Sequence, residues 1–267
     1  MIKEINLIGL IGSLEGGSTK PLMVDGEDEN GEIQRYVVKL YKQEYNTQYF
    51  IVAKEIIISE LAKEFDLPVP EYGIINFDNT LLEELGEYNE KEIKQIQDGY
   101  KFCTRLEDAY LLFNPNFKNN FLKNYEVETL FAFDNFIINA DRGGWRNKPN
   151  LLISDKDFLL IDHEQSFSFY QKKANYASLS NNKSFSSYDY TKHIFFNKLK
   201  KHKPNKYIFD DFDHSLKNLN ISLFKNLLKQ IESLNIDCGE KNIIFAYLEW
   251  CKQNHTYIKK KLLERIR

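Results

Sequence analysis

The sequence predicts an α+β chain: a small, strand-rich N-terminal part with one main helix, then a larger and mostly helical part. Three observations carry that expectation. Short apolar runs separated by glycine or acidic turns recur at 5–11, 21–24, 33–41 and 72–77, the pattern of strands joined by tight connections. Between the last two of these, residues 48–65 (QYFIVAKEIIISELAKEF) have the length and composition of a helix, with Asn46 or Thr47 as N-cap and Leu67-Pro68 closing it. Farther on, apolar residues at Leu130, Phe133, Ile137 and Ile138 mark a helix packed on one face, and residues 220–266 read as two more helices. The division falls between a part spanning 1–107, whose last strand is 99–107, and a part spanning 108–267.

Composition narrows the function classes. With 267 residues, 42% hydrophobic and 14% aromatic, the chain can bury a substantial core. A net charge of −3 supplies no global basic field, so neither nucleic acid nor an anionic membrane is an expected partner. The basic clusters at 198–206 and 259–261 read as solvated faces. Cys103, Cys238 and Cys251 are odd in number, far apart and without a CxxC pair, which argues against a disulfide framework or zinc ribbon and fits a reducing cytoplasm. Cys251 and His255 stand four apart, but two ligands do not make a metal site. No apolar run of about 18 residues occurs, so the expectation is a soluble, cytoplasmic protein.

In the N-terminal part, the first strand runs into Gly16-Gly17-Ser18-Thr19. Paired glycines let a backbone approach phosphate closely, and the two hydroxyls can add donors. The stretch is not a P-loop, because it lacks the GxxxxGK[ST] spacing. Lys39 follows two valines at the end of the 33–41 run. A lone strand lysine usually keeps its head in water, and only the preceding loop suggests a role for this one. On the helix that follows, Glu55 sits among Ala53, Ile56 and Ile57, where an unpaired carboxylate is costly. Glu60 is the rival partner for Lys39. Five residues apart, the two glutamates lie about 140° from each other around a helix, so only one can face the lysine.

The richest stretch is 134–162 (DNFIINADRGGWRNKPNLLISDKDFLLID). The runs 151–153 and 158–161 flank Ser154-Asp155-Lys156-Asp157, the signature of an antiparallel hairpin with a short loop. That register makes Ile153 face Phe158 and sets Asn150 beside Ile161 and Asp162, at the end away from the turn. Asp141 lies just before that end. An Asp on a loop, an Asn opening a hairpin and an Asp closing it can aim hard oxygens at one point, as Mg²⁺ with a polyphosphate requires.

Together these pieces resemble the HipA-like kinases. The N-terminal pieces of the likeness are Gly-Gly-Ser-Thr-Lys-Pro-Leu at 16–22, Tyr-Val-Val-Lys at 36–39 and Lys54-Glu55 followed by Leu-Pro-Val-Pro at 67–70. Further on it takes in Asp134, Asn139, Asp141-Arg142, Asn150-Leu151-Leu152 and Ile161-Asp162-His163, a run also found, more distantly, in phosphatidylinositol kinases. It covers about residues 12–169. The resemblance implies a bilobal protein-kinase-like fold and an ATP- and Mg²⁺-dependent transfer to a Ser or Thr hydroxyl, of a protein or of the chain itself at Ser18 or Thr19. Asp141 would orient and deprotonate the hydroxyl, Asn150 and Asp162 would hold Mg²⁺, and Lys39 with Glu55 would hold the phosphates alongside Gly16, Gly17, Ser18 and Thr19. Nine positions separate Asp141 from Asn150, longer than the family pattern, which leaves Asn147 as an alternative ligand. The loop also lacks the histidine that HipA toxins place after their catalytic Asp, so their substrate choice does not carry over. A lipid or small-molecule kinase and a catalytically silent nucleotide-binding regulator are the rival readings. A regulatory or antitoxin partner is a further expectation of the toxin-antitoxin connection.

Overall fold

Strand order follows from short connections and one long excursion. In a computed structural model, which describes residues 2–14, 21–85, 94–114, 116–117, 125–143, 148–172, 181–201 and 205–267, strands β1 (Asn6–Ser13), β2 (Leu22–Glu27) and β3 (Ile33–Val38) are antiparallel neighbours. β5 (Gly99–Arg105) then lies between β3 and β4 (Tyr72–Phe77), giving the order β1-β2-β3-β5-β4. The register of β1 shifts between Leu7 and Gly9 and again between Leu10 and Gly12, and glycine inside a strand commonly marks such a bulge. The two edges of the sheet meet: the Ile5 N–H donates to the Ile74 carbonyl and the Ile74 N–H to that of Lys3, both at 2.9 Å. This closure requires Gly73, because a Cβ there would lie 2.8 Å from Ile5 Cγ1 and 2.9 Å from the Lys3 oxygen. Val24, Tyr36, Val38, Ile75, Phe77 and Cys103 fill the inner face. Burial pushes the Cys103 thiol up, so it is an inert packing residue.

The 48–65 helix is interrupted. α1 (Gln43–Tyr49) and α2 (Ile51–Glu64) are separated by Phe50, whose φ of 52° is left-handed. Asn46 explains the break: its carbonyl accepts from the Phe50 N–H at 2.8 Å and ends α1, while its Oδ1 accepts from the Val52 N–H at 3.4 Å at the start of α2. The expected cap thus acts from within the preceding helix.

Two compact units result, one of Met1–Ile56, Pro70–Glu107 and Asn226–Cys238, the other of Ile57–Val69, Asp108–Lys225 and Gly239–Arg267. The second contains the small sheet β6 (Leu111–Leu112), β7 (Leu151–Ile153) and β8 (Phe158–Leu160). It also contains α3 (Val127–Phe136), α4 (Asn181–Ser186), α5 (Phe196–Lys201) and α6 (Asp210–Asn218). The C-terminal stretch forms three helices where two were expected: α7 (Ile221–Ser233), α8 (Lys241–Gln253) and α9 (His255–Ile266). Asn254, at φ −109° and ψ 25°, leaves helical geometry and separates the last two. Cys251 faces the core while His255 pairs with Asp213 at 2.8 Å, so these two neighbours serve packing and a helix contact.

Nearly every side of α3 is buried. Phe133 and Phe136 pack against Phe65 at centroid distances of 5.4 and 5.3 Å, and Phe212 stacks on Phe65 at 5.2 Å. A helix enclosed this way tolerates a carboxylate only if it is fully paired. That condition falls on Asp134, and it organises the site. Among the described residues no helix is long and apolar enough to cross a membrane.

Candidate active site

In the first unit, β3 ends at Val38 and Lys39 is the next residue. The Lys39 Nζ lies 3.3 Å from Glu55 Oε1, with side-chain exposures of 17% and 1%. The Tyr41 hydroxyl donates to the same oxygen at 3.4 Å. A carboxylate this deep in apolar surroundings requires such donors. Glu60 pairs instead with Lys63 at 2.6 Å, one turn along the helix, so the structure resolves the choice of lysine partner in favour of Glu55. Tyr41 had no signal in the sequence beyond standing two residues after Lys39.

In the second unit, the hairpin register is the expected one: Ile153 opposes Phe158, Leu151 opposes Leu160, and the Ile161 N–H donates to the Asn150 carbonyl at 3.3 Å. Ser154 Oγ accepts from the N–H groups of Lys156 and Asp157 at 3.2 and 3.0 Å, which fixes the turn. At the far end, Asn150 and Asp162 both leave the ladder with left-handed φ values of 44° and 63°. Asn and Asp enter that region more readily than other side chains, which suits them to this position. The Asn150 amide nitrogen donates to Asp141 Oδ2 at 3.0 Å and to the Asp141 carbonyl at 3.3 Å. A planar amide with its nitrogen turned to Asp141 directs its oxygen the other way, as a hard donor.

The residues fit a Mg²⁺–polyphosphate group. Among the described residues no cluster of three or more His, Cys, Asp or Glu side chains gathers to form an all-protein cage. Mg²⁺ is commonly bound through one or two side-chain oxygens with phosphate oxygens and waters completing its shell, which matches Asn150 with Asp162.

Beneath these residues lies a buried polar network. Asp134 on α3 receives Arg142 Nε at 2.8 Å, with both side chains fully buried. Arg142 Nη1 also donates to the carbonyls of Asn150 and, at 3.3 Å, Ile161. Asn139 Nδ2 donates to Asp134 Oδ1 at 2.8 Å while its Oδ1 accepts from the Asp141 N–H at 3.1 Å. The geometry that turns Asn139 back is a left-handed residue at Ile138, φ 55°, with the Asn139 N–H bonded to the Asp134 carbonyl at 2.9 Å. Backbone groups at Asp141, Asn150 and Ile161, beside Asp162, therefore all refer back to one carboxylate.

His193 completes the network, with Nε2 at 3.0 Å from Asp134 Oδ2. Its Nδ1 accepts from the Phe195 N–H at 3.1 Å, so Nδ1 carries the lone pair and the neutral ring donates through Nε2. Burial alone would raise the Asp134 pKa, but Arg142 and His193 outweigh it and hold the carboxyl well below the usual range. Burial lowers the His193 pKa against the opposing pull of Asp134. A depressed folded-state histidine pKa favours folding above the unfolded value and loses that contribution as pH falls through the folded value. Between about pH 7.5 and about pH 5.5 the unfolding temperature is therefore expected to drop, the unfolded value being about 6.5. His193→Gln should flatten that profile. Parallel curves for wild type and variant in a thermal melt series would contradict the assignment.

No local pattern announces His193, which lies 59 positions from Asp134. Gly16, Gly17, Ser18, Thr19 and the alternative ligand Asn147 lie outside the described residues.

A family model described as HipA-like kinase matches residues 7–231. A search of curated proteins returned no match. Among solved structures, a crystal structure of the Golgi casein kinase with Mn and ADP bound is similar at 12% identity and a TM-score of 0.42, over 99% of this chain and 73% of that one. That likeness is too loose to carry an argument. The family match spans most of both units, and within it lie the Lys39–Glu55 pair, the Asp141–Asn150 contact and the hairpin ending at Asp162: the chain belongs to the HipA-like kinase family.

Proposed function

We propose that this protein transfers the γ-phosphoryl group of ATP, with Mg²⁺, to a Ser or Thr hydroxyl of a protein. The observation that carries the reading is the Asp141–Asn150 contact, a carboxylate 3.0 Å from the amide nitrogen of a residue whose oxygen can take a cation. The order of acid, Asn and Asp in the chain matches the kinase layout of base and two metal ligands. When bound, Mg²⁺ would neutralise charge on the phosphates. Asn150 and Asp162 would hold it through their side-chain oxygens. Asp141 accepts the proton of the attacking hydroxyl, and its second role is to orient that hydroxyl. Its carboxylate is turned by the Asn150 amide, so base and ligand are set in one geometry. Lys39 donates N–H bonds to phosphate oxygens, and Glu55 with Tyr41 holds the lysine in place. Little covalent chemistry is asked of the protein, whose contribution is position and charge.

Lys39→Met tests the nucleotide half of this reading. Tyr41 still donates to Glu55 in the variant, which favours a retained fold. Loss of a charge-assisted hydrogen bond of about 1.5–3 kcal/mol weakens binding of a fluorescent ATP analogue by about 10- to 100-fold. An unchanged dissociation constant in a folded variant would remove Lys39 from the site.

A further inference from the structure

The network reaches beyond the motif residues through one segment. Residues 190–195 lie over the loop that carries Asp141, and six contacts hold them there. His193 Nε2 donates to Asp134 Oδ2 at 3.0 Å. The Ile194 N–H donates to the Arg142 carbonyl at 3.2 Å. Gly143, at φ +89°, lies so close that a Cβ would stand 2.9 Å from the Ile194 nitrogen and 3.1 Å from the Lys192 oxygen. The His193 ring meets the edge or face of Phe131 at 5.1 Å, and Phe195 meets Phe113 at 5.5 Å. From the outer side, the Arg265 guanidinium of α9 covers the Tyr190 ring at 4.8 Å.

We infer that residues 190–195 form a strap that sets the geometry of the catalytic loop, with His193 as its positioning residue, acting through Asp134 and Arg142 on Asn150 and Asp162. The inference deepens the kinase reading and rests on it. The route is short. Asp134 orients Arg142, and Arg142 holds the carbonyls of Asn150 and Ile161. Losing the His193 donor leaves one lone pair of a buried carboxylate unmet, and Arg142 is then free to rebalance toward Asp134 and away from the hairpin end. Outer partners of this kind typically affect metal affinity or activity by about 10- to 100-fold.

Two replacements separate positioning from plain stability. His193→Gln keeps an N–H that reaches Asp134. His193→Asn keeps an acceptor for the Phe195 N–H but is too short to reach the carboxylate. The measurement is Mn²⁺ affinity in saturating ADP, from the electron paramagnetic resonance signal of free Mn²⁺, together with the rate of phosphoryl transfer from ATP to water, read as inorganic phosphate released. His193→Asn should weaken Mn²⁺ binding and lower kcat by about 10- to 100-fold with KM for ATP within about twofold, and His193→Gln should recover most of both. Gly143→Ala pushes on the strap from the opposite side and should weaken Mn²⁺ in the same direction even with His193 intact. Wild-type Mn²⁺ affinity in folded His193→Asn and Gly143→Ala overturns the strap and leaves the kinase reading standing. A wild-type protein that binds no Mn²⁺ with ADP overturns the kinase reading and this inference with it.

Discussion

Arg142→Met is expected to destabilise the protein by about 3–5 kcal/mol, the cost of leaving a buried carboxylate without its cation. Asp134 and Arg142 are both fully buried, and their contact at 2.8 Å lies on a helix enclosed by aromatic rings. Three effects add in one direction: the Asp134 charge loses its main compensation, and the carbonyls of Asn150 and Ile161 lose a donor each. Adding Asp134→Asn to Arg142→Met should recover a good part of the loss, because the second change removes the uncompensated charge. Urea unfolding measures both. An Arg142→Met protein within about 0.5 kcal/mol of wild type would show that the pair carries little stability.

Asp162→Asn should leave the fold intact and reduce Mg²⁺-dependent turnover by about a hundredfold or more, since metal charge stabilisation amounts to several kcal/mol. The replacement keeps the size of the side chain and suits the left-handed backbone at φ 63°, where Asn is well tolerated. Stability and activity thereby separate: the unfolding midpoint stays near wild type while the half-saturating Mg²⁺ concentration rises. Full activity at unchanged Mg²⁺ demand would take Asp162 out of the metal site. Set beside Arg142→Met, this variant distinguishes a residue that touches the reacting group from one that holds the frame.

Part of this arrangement is written locally in the chain. The hairpin was legible because Ser154-Asp155-Lys156-Asp157 leaves only one turn between two apolar runs, and a turn sets the register, which in turn places Asn150 beside Ile161. That Glu55 needs a donor is legible, because a carboxylate among isoleucines is costly unpaired, but the choice between Glu55 and Glu60 as the partner of Lys39 is made by the fold and not by local spacing. The interruption at Phe50 was not legible, since Asn46 acts at once as the end of one helix and the support of the next. Nor was the division of residues 241–266 at Asn254, because the apolar spacing continues across it. His193 lies beyond the reach of any local pattern, since its meaning depends on a carboxylate brought to it by folding. Periodicity and turn chemistry act over a few residues, whereas a buried charge recruits partners from wherever the chain returns.

The measurement that bears most directly on the account is phosphoryl transfer from γ-labelled ATP with Mg²⁺, to the protein itself and to added cell lysate, with wild type run beside Asp141→Asn and Asp162→Asn. Label on the protein or on a lysate protein with wild type, and loss of that label in both variants while each remains folded, is the predicted result. Label that persists in Asp141→Asn, or wild type that binds ATP tightly yet transfers nothing to any acceptor, would contradict it.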